Sequence, residues 1–258
     1  MLCGAAREGH DDDVSRRGWP AGLWVVRHGE SAGNVARDLA ESEQRDRIDL
    51  AHRDMDVPLS ALGERQAQAL GRWTAEQDDR PTTVWVSPYV RAQETARLAV
   101  EAGGLDLTVR VDERLREREF GVLDGLTRKG ITSVFPEESA RRTRLGKFFH
   151  RPPGGESWAD VALRVRAVLD EIRSDCGDER VVVVAHQVVV LVVRYVVEGM
   201  TEAEVLAVDR EGEVANCSVT SYAFPGGTPT LTRYNTVSPL EEQDETVTAE
   251  PDVPHAAR

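Results

Sequence analysis

Arg27 and His28 stand at the end of a short apolar run, Leu23–Val26, and a glycine follows them. A bounded apolar run of this kind predicts a buried strand, so both side chains would emerge at its carboxyl end, where Gly29 permits a sharp turn. A guanidinium can bind two phosphate oxygens at once, and the start of a following helix favours negative charge. Since a neutral imidazole is a competent nucleophile at about pH 7, the run predicts a phosphoryl site in which His28 attacks phosphorus.

Three further segments place reactive side chains at strand ends or helix starts. Arg91 follows an apolar run and a Ser-Pro pair, in the first turn of the next predicted helix. Glu117 belongs to the stretch Arg-Glu-Arg-Glu-Phe-Gly after a short strand, and His186 directly follows the hydrophobic run Val181–Ala185. Because parallel sheets bind ligands beyond the carboxyl ends of their strands, we expect these side chains to converge with the first pair.

Strand-like and helix-like patterns alternate along the chain, which predicts a largely parallel sheet with helices on both faces. The expected fold class is α/β, a three-layer α/β/α sandwich. The predicted strands are Leu23–Val26, Thr82–Val86, Leu107–Val111, Arg180–Ala185, Ala215–Phe224 and Thr230–Tyr234. The predicted helices are Ser60–Gln77, a helix that ends near Ala102, Ser157–Arg173 and Gln187–Glu198.

The length and charge of the chain predict its domain organisation and the kind of partner it binds. It has 258 residues and a formal net charge of −13. We expect one folded domain over residues 21–240, a loose polar leader over 1–20 and a disordered tail over 241–258, in which six acidic residues against one arginine contribute −5. The acidity argues against generic nucleic-acid binding, but a locally positive pocket could still hold an anionic substrate.

Hydropathy and cysteine content predict a cytoplasmic protein. The sequence has no apolar run of about 18 residues, so no membrane span is expected, and its charged N-terminus does not resemble a signal peptide. The three cysteines lack the spacing of a metal site, which favours a reducing compartment. A homodimer is an expectation from base rates alone.

Taken in order, the reactive segments resemble the histidine phosphatase superfamily, which includes the cofactor-dependent phosphoglycerate mutases and many phosphatases. The motifs that carry the resemblance are Arg-His-Gly-Glu-Ser with Asn three residues on, Ser-Pro-x-x-Arg-Ala-x-x-Thr-Ala, Arg-Glu-x-x-Phe-Gly, Gly-Gly-Glu-Ser and the late strand followed by His. They span Leu23–Tyr222 and imply the fold of that superfamily, with a mostly parallel central sheet.

The resemblance also implies roles for individual residues. His28 matches the nucleophile that becomes a phosphohistidine, and Glu117 matches the group that protonates the leaving oxygen. The groups that hold the phosphoryl oxygens are matched by Arg27, Arg91 and His186, and a further polar phosphate contact is matched by Asn34. Two arginines, a protonated histidine and a helix start could stabilise a loose phosphoryl transition state without a metal, so we expect neither a metal nor a cofactor.

Several residues keep two interpretations at this point. Ser31 is either a helix cap alone or a cap that also contacts phosphate. Gln187 departs from the common His-Gly pair; a His-Gln pair also occurs in the fructose-2,6-bisphosphatase branch, and the amide could add a donor near the phosphate. Glu119 is the alternative to Glu117 as proton donor. The histidines that belong to no motif are expected on the surface; they are His10, His52, His150 and His255.

Two charged segments are expected to form the walls of the pocket. Val35–Val57 is longer than in the simplest members, and is either a solvated loop or the rim of the pocket. Within Thr127–Arg151, the stretch from residue 141 is basic and has no acid. Its role is either solubility or a lid over an anionic substrate. The basic residues of the stretch are Arg141, Arg142, Arg144, Lys147 and Arg151.

The expected function is a metal-independent phosphomonoesterase that acts on a small phosphorylated substrate through a phosphohistidine. Phosphoglycerate mutases enclose a bisphosphate with a longer insertion than the stretch from Phe120 to Gly154, which matches hydrolytic members better. Two alternatives stay open: an isomerase of the phosphoglycerate mutase type, and a non-catalytic phospholigand-binding protein. Binding alone would not require both His28 and Glu117, which weighs against the last.

Overall fold

The computed structural model describes residues 18–249, and within that range the strands form one six-stranded sheet. The strands are β1 (Gly22–Arg27), β2 (Thr83–Val86), β3 (Thr108–Val111), β4 (Arg180–Ala185), β5 (Val219–Ala223) and β6 (Thr230–Thr236). Their order across the sheet is β3-β2-β4-β1-β5-β6. Neighbours from β3 to β1 run parallel, while β5 and β6 pair antiparallel with their neighbours. The predicted mostly parallel α/β sheet is confirmed.

The helices of the same range connect these strands. They are α1 (Ala32–Ser42), α2 (Ala61–Ala75), α3 (Val90–Ala102), α4 (Arg128–Val134), α5 (Pro136–Leu145), α6 (Trp158–Asp175), α7 (Gln187–Val197), α8 (Glu202–Glu211) and α9 (Ser238–Glu241). The sequence predicts α2, α3, α6 and α7, with ends that differ by about two residues at most. Among the residues described, no helix combines the length and apolar character needed to cross a membrane.

Alternating side chains of β1 build two separate cores, one on each face of the sheet. Leu23 and Val25 belong to a cluster that includes the apolar faces of α6 and α7. Trp24 and Val26 belong to another, with the apolar faces of α2 and α3. Because successive strand residues point to opposite faces, a strand that is apolar at every position requires a cover on both sides. The three-layer α/β/α sandwich is confirmed.

Serine caps fix where two of these helices begin. Ser60 Oγ accepts a hydrogen bond from the Gly63 N–H at 3.0 Å at the start of α2. Ser157 Oγ accepts from the Asp160 N–H at 3.2 Å, and Asp160 Oδ2 accepts from the Ser157 N–H at 2.8 Å, at the start of α6. Such caps satisfy N–H groups that have no partner within the helix, so the starts of α2 and α6 are set by local sequence.

The first part of the predicted acidic tail is ordered on the domain. α9 ends within it at Glu241, and Arg65 of α2 donates a hydrogen bond to Glu245 Oε2 at 3.0 Å. The prediction of disorder is therefore wrong for residues 241–249, because their side chains find partners on α2 that composition does not reveal. Outside the described residues lie 1–17 and 250–258, with His10 and His255, and expectations for them stay predictions.

His150 is buried, contrary to the surface position that its lack of a motif predicts. The residue is 1% exposed, and its Nε2 lies 3.0 Å from Oε2 of Glu138 on α5. Its carbonyl accepts a hydrogen bond from Arg118 Nη2 at 3.3 Å. The turn after α5 buries Phe148 and His150 together. The polar partners of His150 are Glu138 of α5 and Arg118, which precedes α4. His52 is exposed, as predicted.

Replacing His150 should change how stability depends on pH. Burial lowers the pKa of His150, opposed by its hydrogen bond to Glu138, so the unfolded chain binds this proton more readily than the folded chain does. The free energy of unfolding should therefore fall as the pH drops below about 6.5, and level off below the folded-state pKa. His150→Gln keeps an N–H near the Nε2 position but cannot titrate, so it should lose less stability between about pH 7.5 and about pH 5.5 in urea unfolding.

The exposed His52 supplies the matched control, since His52→Gln should follow wild type at both pH values. An unchanged pH dependence in His150→Gln would contradict the link between burial and titration.

Candidate active site

The two motif histidines meet at the carboxyl edge of the sheet. Their ring centroids lie 5.1 Å apart with an interplanar angle of 64°, and neither side chain has exposed surface. β1 and β4 pair in parallel with Arg27 opposite Ala185, and the His28 N–H donates to the Ala185 carbonyl at 3.0 Å. His28 and His186 are each the next residue after that pair, so the strand register itself brings the imidazoles together.

The contacts of His28 define its tautomer. Nδ1 lies 2.6 Å from the Gly29 carbonyl oxygen, which can only accept, so Nδ1 carries the proton. Arg91 Nε donates to Nε2 at 3.2 Å, which likewise requires a lone pair on Nε2. Both contacts therefore assign the lone pair to Nε2 of a neutral imidazole.

The predicted phosphate-binding arginines occupy different positions around this ring. Arg27 is fully buried, and its Nη1 donates to the Val214 carbonyl at 2.5 Å. Arg91 donates from Nη1 to the Asp54 carbonyl at 2.6 Å and forms an ion pair through Nη2 with Asp54 Oδ1 at 3.1 Å. Asp54 is an acidic residue in direct contact with a predicted phosphate ligand. The sequence did not single it out, because its partner lies on another element.

Thr95 ties the start of α3 to the turn after His28. Its hydroxyl donates to the Arg91 carbonyl at 2.7 Å and accepts from the Gly29 N–H at 3.0 Å. Thr95 belongs to the Ser-Pro-x-x-Arg-Ala-x-x-Thr-Ala motif, so the sequence contained the signal, although not the role. The link holds Arg91 in a fixed position relative to His28.

Ser87 and Tyr89 join the histidines to Arg91, and sequence reasoning missed both. Ser87 Oγ and His186 Nε2 are 2.7 Å apart, and the Tyr89 ring lies edge-on to the His186 ring at 5.0 Å. The Arg91 guanidinium stands over the Tyr89 ring at 4.9 Å, a cation–π contact. Burial raises the pKa of Tyr89, and the charges of Asp54 and the nearby glutamates add to the effect. Tyr89 therefore stays a hydroxyl donor.

Burial distinguishes Glu117 from its acidic neighbours. Its side chain is 1% exposed, and Oε1 accepts a hydrogen bond from the Arg118 N–H at 2.7 Å. Glu113 and Glu119 are exposed, and Glu119 accepts from the Tyr89 hydroxyl at 3.2 Å. The charge of Glu117 contributes to the raised pKa of Tyr89, so this carboxyl lies in the same electrostatic environment as the histidines.

Ser31 and Asn34 form a reciprocal cap at the start of α1. Ser31 Oγ accepts from the Asn34 N–H at 3.1 Å, and Asn34 Oδ1 accepts from the Ser31 N–H at 2.9 Å. Both side chains also line the pocket beside Arg91. The interpretation of Ser31 as a helix cap is confirmed, while phosphate contact by either residue stays a prediction. Gln187 is buried, and its amide donates to Glu213 of the segment before β5.

A pocket lined in part by Arg91 has a volume of about 180 Å³. The segment 35–57 supplies six of the twelve lining residues and therefore rims the pocket, as one of the two interpretations proposed. No residue of 127–151 lines it, and the wall role expected for this second segment stays a prediction. The lining residues are Ser31, Gly33, Asn34, Arg37, Ile48, Leu50, His52, Asp54, Val57, Arg91, Asp124 and Gly125.

Acidic side chains pair with three cations of the basic stretch 141–151. The carboxylates come from α5, α6 and α8, and burial lowers the pKa of Lys147 against the opposing effect of its partner. Lys147 and Arg151 dock the turn after α5 onto α8 and α6, a role that neither sequence interpretation included, whereas Arg141 pairs within α5. The pairs are Arg141 with Glu138, Lys147 with Asp209 and Arg151 with Asp160.

Two glycines allow the start of α2 to contact residues 28–30, the His28 loop. A Cβ at Gly63 would overlap the Glu30 carbonyl, and one at Gly29 would lie 2.6 Å from the Gly63 oxygen. Gly29 does not have a positive φ. The sequence predicts that Gly29 permits a sharp turn. The structure gives a different reason for glycine there, because the backbones of Gly29 and Gly63 approach too closely for a side chain.

A sequence profile described as "Histidine phosphatase superfamily (branch 1)" matches residues 23–237. The chain belongs to this superfamily. The resemblance read from the motifs is thus confirmed, together with its fold.

Relatives within the superfamily include both mutases and phosphatases. The probable phosphoglycerate mutase GpmB of Yersinia enterocolitica is 32% identical over 166 residues, 64% of this chain and 68% of that protein. The rat 6-phosphofructo-2-kinase/fructose-2,6-bisphosphatase 3 is 30% identical over 170 residues, 66% of this chain but only 26% of that longer protein. The solved mycobacterial glucosyl-3-phosphoglycerate phosphatase complexed with VO3 is 28% identical with a TM-score of 0.64, covering 84% of this chain and 99% of that one.

Gly63→Ala should displace the His28 loop. The new Cβ would overlap the Glu30 carbonyl, and we expect unfolding free energy to fall by about 1–3 kcal/mol and the Kd for inorganic phosphate to rise about tenfold. Gly71→Ala is the matched control, because its Cβ would overlap the Ala99 carbonyl between α2 and α3. The control should lose stability without losing phosphate affinity in titration calorimetry. Equal loss of affinity in both variants would contradict a specific role for Gly63.

Asp54→Asn should strengthen phosphate binding. A phosphate that binds Arg91 must displace the Asp54 carboxylate and is repelled by its negative charge. The asparagine side chain of the variant has no such charge. A charged hydrogen bond contributes about 1.5 kcal/mol or more, so the Kd for inorganic phosphate should fall about tenfold. Asp56→Asn is the control on the same turn, since Asp56 pairs with the exposed Arg53 at 2.6 Å. An unchanged or weaker affinity in Asp54→Asn would refute the competition.

Proposed function

We propose that the protein is a phosphomonoesterase that forms a phosphohistidine at His28 and needs no metal for the transfer. The observation that carries the proposal is the state of the His28 ring. Nδ1 is engaged by the Gly29 carbonyl, and the lone pair of Nε2 faces the guanidinium of Arg91. A nucleophile with a defined tautomer beside a group that binds phosphoryl oxygens has the arrangement that in-line transfer requires.

In the proposed first step, Nε2 of His28 attacks phosphorus while the bond from phosphorus to the ester oxygen breaks. The electron pair of that bond leaves with the alkoxide, which takes a proton from Glu117. Arg27 and Arg91 stabilise charge on the equatorial oxygens, because a loose phosphoryl transition state depends on electrostatic stabilisation. A protonated His186 donates from both ring nitrogens, so it can keep Ser87 as one partner and hold a phosphoryl oxygen with the other.

In the proposed second step, water attacks the phosphohistidine. Glu117, now a carboxylate, accepts the proton of that water, the nitrogen–phosphorus bond breaks, and its electron pair returns to Nε2. Inorganic phosphate leaves, and both Glu117 and His28 recover their starting states. The burial of Glu117 supports this assignment over Glu119, which is exposed and pairs with Tyr89.

The proposed substrate is a small phosphorylated metabolite whose leaving group occupies the pocket beside Arg91. The relatives named as phosphatases act, by their names, on glucosyl-3-phosphoglycerate and fructose 2,6-bisphosphate. The pocket offers Arg37 and Asp124 for polar groups and Leu50 for apolar contact. Its volume of about 180 Å³ favours a compact leaving group.

A phosphoglycerate mutase activity is the second candidate, and the GpmB relative favours it. The two reactions share the first step and differ in what attacks the phosphohistidine. Hydrolysis needs water, whereas a mutase needs a second hydroxyl of a bound glycerate. Release of inorganic phosphate without a bisphosphate primer supports the hydrolase. Isomerisation that depends on a primer and releases little phosphate would overturn it.

Turnover of p-nitrophenyl phosphate in EDTA tests the mechanism. Wild type should release phosphate, and His28→Ala should lose turnover and the acid-labile phosphoenzyme seen after alkaline quench. Glu117→Gln should lower kcat by about 100-fold or more, since Glu117 also accepts the proton of the attacking water and general acid–base catalysis contributes about 10²–10⁴-fold. Glu119→Gln, its exposed neighbour, should stay within about twofold of wild type. Full turnover by His28→Ala would refute the phosphohistidine, and a larger loss in Glu119→Gln would reassign the proton donor.

A further inference from the structure

Two fully buried amide side chains hold the backbone on either side of Gly29. Asn216 Nδ2 donates to the His28 carbonyl at 3.0 Å, and Gln66 Oε1 accepts from the Glu30 N–H at 2.8 Å. Asn216 precedes β5 and Gln66 lies on α2, and neither side chain has exposed surface. The His28 loop is therefore clamped by one amide nitrogen and one amide oxygen from distant parts of the chain.

The other ends of both amides meet at a single hydroxyl, that of Thr248. Thr248 Oγ1 donates to Asn216 Oδ1 at 3.0 Å and accepts from Gln66 Nε2 at 2.9 Å. Gln66 Nε2 also donates to the Thr246 carbonyl at 2.9 Å, and the Asn216 N–H donates to the Thr248 carbonyl at 2.8 Å. The segment 245–248, which we name the C-terminal strap, thus closes a hydrogen-bonded network that ends at His28.

The Thr248 hydroxyl completes the hydrogen bonding of both amides. An amide has an oxygen that only accepts and a nitrogen that only donates, whereas a hydroxyl does both. The His28 carbonyl requires the nitrogen of Asn216, so Asn216 Oδ1 faces Thr248 and accepts from it. The Glu30 N–H requires the oxygen of Gln66, so Gln66 Nε2 faces Thr248 and donates to it. Without the hydroxyl, Asn216 Oδ1 loses a donor and Gln66 Nε2 loses an acceptor, which weakens the hold of both amides on the His28 loop.

We propose that Thr248 is a positioning residue, which acts through Asn216 and Gln66 to hold the Gly29 carbonyl where it binds the Nδ1 proton of His28. The proposal rests on the proposed function in assigning Nε2 as the nucleophile. The strap is held independently of the network, since Glu245 pairs with Arg65 on α2. A segment that composition marks as a tail therefore keeps the reactive nitrogen in its productive tautomer.

Thr248→Val tests the role of the hydroxyl, because valine keeps the shape of threonine and removes the hydrogen bonds. We expect kcat to fall about tenfold with KM within about twofold, since small misplacements of reacting groups cost up to about 100-fold in rate. Thr248→Ser should restore kcat. Thr246→Val is the matched control, because Thr246 joins the network through its carbonyl alone. An unchanged kcat in Thr248→Val, with only a lower Tm, would overturn the proposal.

The tautomer of His28 gives a readout that does not depend on turnover. In ¹⁵N-histidine NMR at about pH 8, Thr248→Val should increase the fraction of His28 that carries its proton on Nε2, and Thr246→Val should not. If wild type hydrolyses no phosphate ester, the proposed function fails, yet this shift would still support the strap. An unchanged tautomer in Thr248→Val refutes the strap whatever the activity of wild type.

Discussion

The parallel register between β1 and β4 is the constraint on which the site depends. Arg27 pairs with Ala185, so the residue after each of them, His28 and His186, leaves the sheet at the same edge. A slip of one residue would exchange the faces of a strand, and both faces of β1 are buried under helices. The core that stabilises the fold therefore also keeps the two imidazoles 5.1 Å apart.

Burying so many polar groups at one sheet edge requires that each has a partner. Arg27 has the Val214 carbonyl, Arg91 has Asp54, and the His28 loop has Gln66 and Asn216. The result is a site whose donors and acceptors are oriented before any substrate arrives, the condition for electrostatic stabilisation of a transition state. Arg91 differs from the others because its partner is an acidic group on a surface turn. In the proposed function, an anion at Arg91 therefore competes with Asp54.

Sequence reasoning reached the fold and selected the candidate site residues because their signals are local. The apolar runs of β1 and β4 predict strands, and the residue after each predicts where chemistry lies. It misplaced His150 and residues 241–249, since their positions depend on partners from other elements, such as Arg118 for His150 and Arg65 for Glu245. Sequence reasoning also explained Gly29 by a sharp turn, whereas in the structure glycine is required there because the backbone of Gly63 lies too close for a Cβ.

By itself the sequence determined the alternation of strands and helices, the superfamily, and the set Arg27, His28, Arg91, Glu117 and His186, because contiguous motifs encode them. Only the tertiary structure decided which nitrogen of His28 carries the proton, which glutamate is buried, that Asp54 contacts Arg91 and that Thr248 closes the network around the His28 loop. These outcomes depend on hydrogen bonds between residues separated by long stretches of chain. Such partners are chosen by the packing of whole elements, and no local pattern records that choice.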